Sequence, residues 1–307
     1  MNQQIAKLVN EVKKVVKGKD NVIIKVVSAM IAGGHILLED IPGVGKTTLA
    51  VALSKSLSMD YHRVQFTPDV LPSDLVGFNM YNNKTGAFEY KEGSVYCNFL
   101  LADEINRTSP KTQSALLEVM EEGKATVDGV EHFLPVPFVV LATQNPFGSA
   151  GTQKLPESQL DRFMICLTIG YPNHQAAQEI LLGNISAKTE VDSIFTIEEF
   201  LEAQKKVSEV RVDQSIIEFI VNICEETRKH NLISLGLSPR ASVALYKMAK
   251  ATAFLNDRDY VIPDDVLECI DPVCCHRLVV SPKARAEKKD ASKLLNEIVT
   301  SLQLPKM

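Results

Sequence analysis

Residues 35–57, HILLEDIPGVGKTTLAVALSKSL, place a short apolar strand, a turn with two glycines and a helix in direct succession. In such a turn successive backbone N–H groups point inward, and the amino-terminal end of the following helix adds positive potential. Both features favour the binding of phosphate. A strand and a helix joined in this way are typical of an α/β protein, so the segment predicts the fold class and a phosphate-binding loop together.

The loop departs from the usual eight-residue pattern at its first position. Counting back from Gly45, Lys46 and Thr47 puts Asp40 where that pattern has glycine. We expect the exchange to be tolerated, because Asp is among the residues that adopt left-handed turns. A glycine-rich turn that holds no ligand is the alternative interpretation.

The loop residues have separate expected roles around a nucleotide. Lys46 would reach the β- and γ-phosphates, and the Thr47 hydroxyl would bind Mg²⁺. The residues expected to contact the phosphates are Pro42, Gly43, Val44, Gly45, Lys46, Thr47 and Thr48.

Two carboxylates end a second apolar strand, FLLADE, at residues 99–104. The carboxyl ends of parallel strands meet at one edge of a sheet, so Asp103 and Glu104 should lie near the loop. Asp103 would position Mg²⁺ with Thr47, and Glu104 would act as general base on the attacking water. Asn145, at the end of another apolar strand, would bind that water or the γ-phosphate. Solvated strand ends and a simple Asn-Pro turn are the alternatives.

Five apolar segments predict one parallel sheet flanked by helices. They are residues 35–39, 62–66, 98–103, 137–145 and 163–169, and the middle three are expected to be buried on both faces. Two hairpins interrupt this plan, at 79–90 and 124–134, and the Asp128-Gly129 pair in the second is a strong hairpin signal.

The strand pattern ends near Pro172, and the segments that follow predict helices. The chain therefore divides into an α/β nucleotide-binding domain at 1–170, an all-helical lid domain at 171–282 and a charged tail at 283–307. Apolar residues of the tail recur on one helical face. They are Leu294, Leu295, Ile298, Val299 and Leu302. A plain surface helix is the favoured interpretation, and docking on the lid or on a neighbouring molecule is the alternative.

Arg162 and Arg240 are the cations left to stabilise charge that develops on a transferred phosphate. Ser238 and Pro239 predict a helix start, so Arg240 lies in the first turn, where a cation opposes the helix dipole. This unfavourable position suggests a charged ligand nearby. The alternative pairs Arg162 with Asp161 and Arg240 with a surface acid.

Charge and composition exclude several classes of protein. With a net charge of −5 and a pI near 5.8, the chain has no overall attraction for nucleic acid or anionic membrane. The most apolar stretch, 22–38, contains Lys25 and two glycines, which argues against a membrane span. Six cysteines without a paired framework suit reduced thiols in the cytoplasm. Adjacent Cys274 and Cys275 do not easily face one metal ion, which disfavours a zinc site.

Four motifs together resemble the AAA+ ATPases, and the MoxR family in particular. They are EDIPGVGKT at 39–47, VQFTPDVLPSDLVG at 64–77, LLADEINRTSPKTQSALLEVMEE at 100–122, and PFVVLATQNP followed by LPESQLDRF between 137 and 163. The similarity spans most of residues 15–282. It implies a P-loop core with a five-stranded sheet, a helical lid, and ATP with Mg²⁺ clamped between subunits of a ring, usually a hexamer. Asp40 in place of glycine is shared by the family pattern.

The resemblance also implies roles for particular residues. Arg162 resembles the arginine finger that is donated into a neighbouring subunit's site. Arg240 resembles the second sensor, which reports the γ-phosphate to its own lid. Residues from Val16 to Gly18 would lie near the adenine, and both hairpins would face the axial opening of the ring.

Members of the family are thought to act as chaperone-like motors that remodel or mature partner proteins, often with von Willebrand factor A domain proteins and sometimes assisting metal-cofactor insertion. The resemblance therefore implies an ATP hydrolase with a protein client. A DNA-remodelling motor and a slow nucleotide-dependent switch are the alternatives. DNA is disfavoured because acids outnumber the hairpin lysines Lys84, Lys91 and Lys124.

Overall fold

The computed structural model describes residues 1–41, 43–145, 155–182 and 190–305. Its strands are β1 (Ile36–Glu39), β2 (Tyr61–Gln65), β3 (Phe78–Asn82), β4 (Ala87–Lys91), β5 (Phe99–Asp103), β6 (Lys124–Val127), β7 (Val130–Phe133), β8 (Val139–Gln144), β9 (Ile165–Leu167), β10 (Ile233–Leu235) and β11 (Val279–Val280). Its α-helices are α1 (Gln3–Lys13), α2 (Asp20–Ile31), α3 (Lys46–Ser56), α4 (Pro72–Val76), α5 (Pro110–Glu122), α6 (Glu157–Leu160), α7 (His174–Leu181), α8 (Ile197–Glu209), α9 (Gln214–Lys229), α10 (Pro239–Leu255), α11 (Pro263–Cys274), α12 (Pro282–Ala286) and α13 (Ala291–Ser301). In the part of the chain described, none of these helices combines the length and apolar character needed to cross a membrane.

Five parallel strands form the central sheet in the spatial order β2, β5, β8, β1, β9, which confirms the predicted α/β core. β5 and β8 are buried along their whole length, as is usual for inner strands of a parallel sheet covered by helices. The prediction that the strand at 62–66 would be equally buried is wrong. β2 lies at the edge of the sheet with no strand on its outer side, so its side chains are partly or fully exposed.

The strand register brings polar side chains together at the carboxyl edge of the sheet. Gln65 of β2 lies opposite Asp103 of β5, and Glu39 of β1 lies opposite Gln144 of β8. The chain leaves β1 into the predicted phosphate loop at this same edge. The sheet therefore positions the loop and the acids of β5 on one side of the molecule.

The two predicted hairpins are present as the pairs β3–β4 and β6–β7. Asp128 and Gly129 have φ values of 51° and 81°, the positive values that a two-residue type I′ turn requires. Asn79 donates a hydrogen bond to the Asp128 carboxylate at 2.7 Å, and the rings of Tyr90 and His132 stack with centroids 3.6 Å apart. The two hairpins thus form one continuous hairpin surface.

The lid is helical, with one correction to the all-helical prediction: β10 and β11 pair as a short antiparallel ribbon. The separate tail predicted at 283–307 is also corrected. Its helix α13 packs on α9 and α11, and Leu294 and Leu295 are fully buried. The favoured interpretation as a plain surface helix is therefore wrong, and the alternative, docking on the lid, is what the structure shows.

One continuous apolar core joins the α/β part to the lid, with buried side chains from α1, α2 and α3 on one side and from α8 to α11 on the other. A buried cation strengthens this junction. The Arg277 side chain is only 3% exposed. It donates to the Asp161 carboxylate at 2.8 Å and to the carbonyls of Phe163 and Met164 at 2.6 and 3.0 Å. These bonds fix the end of α11 against the start of β9.

Two buried histidines predict a pH dependence of stability. Burial lowers the pKa of His35 to about 4, and burial with the nearby Arg277 charge lowers the pKa of His276 to about 3. Both rings stay neutral in the folded chain, whereas an unfolded histidine takes up a proton below about pH 6.5. Stability that is present above this pH is therefore lost as the pH falls towards the folded pKa values. We expect each histidine to contribute a slope of about 1.4 kcal/mol per pH unit in that window.

Urea unfolding between pH 7.5 and pH 5 measures this slope. The free energy of unfolding should depend less steeply on pH in the His276→Gln variant than in the wild-type chain, even if the variant is less stable overall. The difference in slope should correspond to close to one proton fewer taken up on unfolding. His62 has a side chain that is 42% exposed, so His62→Gln serves as the matched control for replacing a histidine outside the core. An unaltered slope in His276→Gln would show that this ring does not contribute.

Candidate nucleotide-binding site

The predicted phosphate loop has the backbone geometry that anion binding needs. Gly43 and Gly45 have φ values of 85° and 95°, and Gly45 is the residue that caps the amino terminus of α3. A Cβ atom added to either glycine would meet no heavy atom within 4 Å, so the space beside the loop is open. Pro42 lies outside the described residues. The loop therefore offers N–H groups and room for a phosphate at a helix amino terminus.

The side chains of the loop take different positions. Val44 packs partly against the main apolar core, which anchors the loop. Thr47 is partly buried in the first turn of α3, and Thr48 beside it is exposed. Thr47 is thus the less exposed of the two hydroxyl residues.

Lys46 is partly buried, and its Nζ donates to the backbone carbonyl of Asp40 at 3.0 Å. Burial lowers the pKa of Lys46, while the negative charges of Asp103, Asp40 and Glu104 oppose this effect. Its ammonium group is therefore partly deprived of water. A bound phosphate would stabilise the charged form, which is the fit expected of a nucleotide-binding lysine.

Asp40 does not adopt a left-handed turn, which corrects the expected reason for its tolerance. Its buried carboxylate accepts backbone N–H bonds instead. One oxygen accepts from Ile169 and Gly170 at 2.5 and 2.7 Å, and the other accepts from Ile41 at 2.9 Å. The residue that replaces the usual glycine thus joins the start of the loop to the segment that follows β9.

A buried threonine orders the two acids of β5. Thr143, on the neighbouring strand β8, donates from its hydroxyl to Asp103 Oδ1 at 2.7 Å and accepts from the Glu104 backbone N–H at 2.9 Å. The other oxygen of Asp103 forms an ion pair with Arg63 at 2.7 Å. Arg63 therefore occupies one oxygen of the Asp103 carboxylate in this structure. Together with the hydroxyl of Thr47, Asp103 supplies the oxygen ligands that Mg²⁺ prefers.

Glu104 has a left-handed backbone, with φ of 58°, and begins the tight turn between β5 and α5. Its Oε2 atom is 2.7 Å from an Arg107 nitrogen and accepts from Gln65 Nε2 at 3.0 Å. Asn145 follows β8, and its carbonyl accepts from Asn106 Nδ2 at 3.4 Å. The structure thus brings Glu104, Asn145 and the turn after β5 to the same edge of the sheet. In this state the Glu104 carboxylate is held by Arg107 and Gln65.

The region expected to hold adenine contains a cavity of about 480 Å³ between the residues around Gly18 and the segment after β9. Gly18 lines this cavity together with Asn173 and Ile169. Val16 is buried in the main core. Gly18 therefore lines this cavity and Val16 does not, and the contacts of both residues with adenine stay a prediction.

Arg162 and Arg240 lie together, and both pair with the carboxylate of Glu121. Arg162 approaches it at 2.6 Å, and Arg240 forms an ion pair with its other oxygen. They line a cavity of about 380 Å³ that also includes Gly34, just before β1, and Met164, just before β9. These are the amino ends of the strands. The two arginines therefore lie at the edge of the sheet opposite the phosphate loop.

The predicted role of Arg240 as a sensor for its own subunit's nucleotide stays a prediction, and in this structure the residue lies beside Arg162 and Glu121. α10 packs against α2, and Ser238 at its start donates to the Asp161 carboxylate at 2.8 Å. Both contacts fix the first turn of α10 against the α/β part of the chain. The alternative in which Arg162 pairs with Asp161 is wrong, because Arg162 pairs with Glu121, whereas Arg240 does pair with a surface acid, as that alternative had it.

Several residues of the site were missed by sequence reasoning. They are Arg63, Gln65, Arg107, Glu121 and Thr143. For Gln65 a signal was present, since the parallel pairing of the second and third predicted strands places their carboxyl ends side by side. Glu121 has no such signal, because its contacts come from the packing of a distant helix.

Comparison with known proteins agrees with this geometry. Residues 35–165 match the family described as "ATPase family associated with various cellular activities (AAA)", and residues 225–298 match the AAA lid domain. The chain is 48% identical over 303 residues to the uncharacterized protein YeaC of Bacillus subtilis, covering 98% of this chain and 95% of that protein. It is 35% identical over 306 residues to Chaperone MoxR1 of Mycobacterium tuberculosis, covering 97% of this chain and 81% of the other. The crystal structure of a candidate ATPase from Cytophaga hutchinsonii matches with a TM-score of 0.91 and 37% identity, over 99% of this chain and 95% of that one.

Proposed function

Because this chain belongs to the MoxR family of AAA+ ATPases, we propose that it is an Mg²⁺-dependent ATPase that assembles into a ring and uses ATP turnover to remodel a partner protein. One observation carries most of this proposal. The phosphate loop, Asp103 and Glu104 meet at a single edge of the sheet, and Thr143 holds both acids in register. Hydrolysis of a phosphate anhydride needs backbone N–H groups that bind the phosphates, a metal ligand and a general base.

In this proposal each residue of the edge has one task. Lys46 would leave the Asp40 carbonyl for the β- and γ-phosphates, and Thr47 and Asp103 would hold Mg²⁺. The bound ion supplies positive charge beside the phosphates. Glu104 turns from Arg107 towards the attacking water and accepts its proton, and Asn145 orients that water or the γ-phosphate.

The arginine pair supports assembly into a ring. Within one subunit Arg162 and Arg240 lie on the edge opposite the phosphate loop. In a ring of identical subunits, this edge of one subunit faces the phosphate loop of the next. We assign both arginines to the neighbour's site, where phosphate oxygens would replace Glu121 as their partner. This extends the predicted role of Arg162 and changes that of Arg240.

The hairpin surface supports a protein partner. Phe88 and Phe133 are 72% and 73% exposed, and Met80 and Tyr81 are also exposed. Exposed apolar side chains grouped in this way are typical of surfaces that contact other proteins. The resemblance adds two finer expectations, a ring of six subunits and a von Willebrand factor A domain protein as partner. All six cysteines are free thiols, which suits the cytoplasm as the proposed location.

Nucleotide binding, turnover and assembly test this proposal directly. A slowly hydrolysed ATP analogue with Mg²⁺, at a free concentration of about 100 times its Kd, should raise the free energy of unfolding by about 2.7 kcal/mol. Phosphate release should be steady and require Mg²⁺, and light scattering should detect an oligomer. Lys46→Ala is the control and should lose the stabilisation.

Other outcomes would favour the alternatives. Turnover that rises with DNA and falls steeply with salt would favour a DNA motor. A single turnover without steady hydrolysis, in the presence of partner, would favour a nucleotide switch. Absence of nucleotide stabilisation would contradict the proposal as a whole.

A further inference from the structure

Residues 169–171 form the connection between β9 and α7, the first helix of the lid, and are here termed the hinge segment. Its backbone is bound from two sides. Lys19 Nζ donates to the carbonyls of Ile169 and Tyr171 at 2.6 and 2.7 Å. On the other side, one oxygen of Asp40 accepts the N–H groups of Ile169 and Gly170. Gly170 has a φ of 68°, a conformation that lets two successive N–H groups meet one oxygen.

The backbone of Asp40 is bound to the nucleotide site. Its N–H donates to the carbonyl of Gln144 at the end of β8, at 3.1 Å. Its carbonyl accepts from Lys46 Nζ at 3.0 Å. The residue is only 4% exposed, so neither its peptide groups nor its carboxylate can exchange these partners for water without a local rearrangement. One residue therefore contacts the lysine of the phosphate loop and the hinge of the lid at the same time.

From this juxtaposition we propose that Asp40 is a positioning residue that transmits the state of the phosphate loop to the hinge segment and so to the orientation of the lid. The proposal rests on the proposed ATPase function. A phosphate that draws Lys46 Nζ away removes a donor from the Asp40 carbonyl, and the Asp40 carboxylate carries the resulting shift to the amides of Ile169 and Gly170. Arg240 belongs to the lid. A change in the orientation of the lid therefore also moves Arg240, at the edge of the sheet that would face the next subunit.

The Asp40→Gly variant distinguishes this proposal from what the phosphate-loop sequence pattern alone would predict. Glycine at this place restores the usual phosphate-loop pattern, which by itself predicts nucleotide binding and turnover at least as good as in the wild-type chain. Our proposal predicts the opposite for turnover. The loop N–H groups remain, so the Kd for nucleotide stays close to that of the wild type, whereas the hinge loses its carboxylate and the lid no longer follows the nucleotide.

Two readouts on the assembled protein test this difference. For Asp40→Gly we expect kcat to fall roughly ten- to a hundred-fold with KM little changed, because misplaced groups slow the chemical step. We also expect that Mg²⁺ and an ATP analogue no longer alter hydrogen exchange at the first-turn amides of α10, around Ala241. Asp40→Asn keeps a carbonyl oxygen able to accept both hinge N–H groups, so it should retain most of both properties.

Asp213→Gly is the matched control. Asp213 is an exposed residue of the lid whose carboxylate also accepts a backbone N–H, from Ser215 at 2.9 Å, but it does not contact the hinge segment. Its loss should lower stability without altering kcat or the nucleotide-dependent exchange.

Two results would overturn the proposal. One is an Asp40→Gly chain with wild-type kcat. The other is an Asp40→Gly chain that is less stable and binds nucleotide weakly but still shows nucleotide-dependent exchange in α10, since that pattern indicates a purely structural role. Failure of the ATPase proposal is a separate result, because the wild-type chain itself would then show neither nucleotide binding nor turnover.

Discussion

Glu104→Gln is expected to bind Mg-ATP with an affinity close to that of the wild-type chain and to hydrolyse it about 10²–10⁴-fold more slowly. The amide has nearly the same shape as the carboxylate and can still accept from Gln65, so the turn after β5 should keep its form. What it loses is the ability to take a proton from water. Equilibrium binding of a fluorescent ATP analogue and steady-state phosphate release measure the two properties separately.

The Glu202→Gln variant controls for loss of an ion pair. Glu104 pairs with Arg107 at 2.7 Å, and Glu202 pairs with Lys206 on an exposed face of α8 at 2.8 Å. Each variant removes one exposed salt bridge of small energetic value. Only Glu104→Gln should lose turnover, and normal turnover in that variant would show that another group serves as the base. The same variant, loaded with ATP, is a suitable trap for recovering the partner protein.

Arg162→Ala is expected to bind nucleotide and to assemble, but to lose turnover by about 10³–10⁵-fold. An arginine that stabilises charge on the γ-phosphate acts mainly in the transition state, so kcat should fall far more than affinity. If Arg162 acts on the neighbouring subunit, mixing the variant with Lys46→Ala should restore activity. In some interfaces of a mixed ring, an intact phosphate loop then faces an intact arginine.

The mixing experiment also distinguishes two positions for the second arginine. The resemblance implies that Arg240 acts on its own subunit's nucleotide, whereas the structure places it beside Arg162 on the opposite edge. Rescue of Arg240→Ala by Lys46→Ala therefore agrees with the structure, and lack of rescue agrees with the sequence-based role. Each variant measured alone is the baseline. If neither arginine variant is rescued in any mixture, the proposed action across a subunit interface is wrong.

The sequence predicts the fold and the phosphate side of the site well, because both depend on local order along the chain. Few backbone conformations can join a buried strand directly to a helix through Gly43 and Gly45. Asp103 and Glu104 were expected near that loop because parallel strands end at a common edge. The strand order and the pairing register, by contrast, were not predicted and come from the structure alone.

The positions that sequence reasoning misplaced depend on packing between distant segments. Arg240 is set by the contact of α10 with α2, and no local pattern near residue 240 reports that contact. Asp40 looked like a tolerated turn residue, although its carboxylate is satisfied by amides about 130 positions later in the chain. Likewise, the tail helix α13 carries the pattern of a surface helix but completes the core of the lid.

The helix α5 links two features that have so far been described separately. It starts just after the tight turn that begins at Glu104 and ends at Glu122, one residue beyond the carboxylate shared by Arg162 and Arg240. Its 13 residues span about 20 Å. A single helix thus connects the turn that begins at Glu104 to the carboxylate that holds both guanidinium groups. In the proposed ring, a displacement of α5 at the Glu104 end would therefore also move the carboxylate that holds the arginine pair.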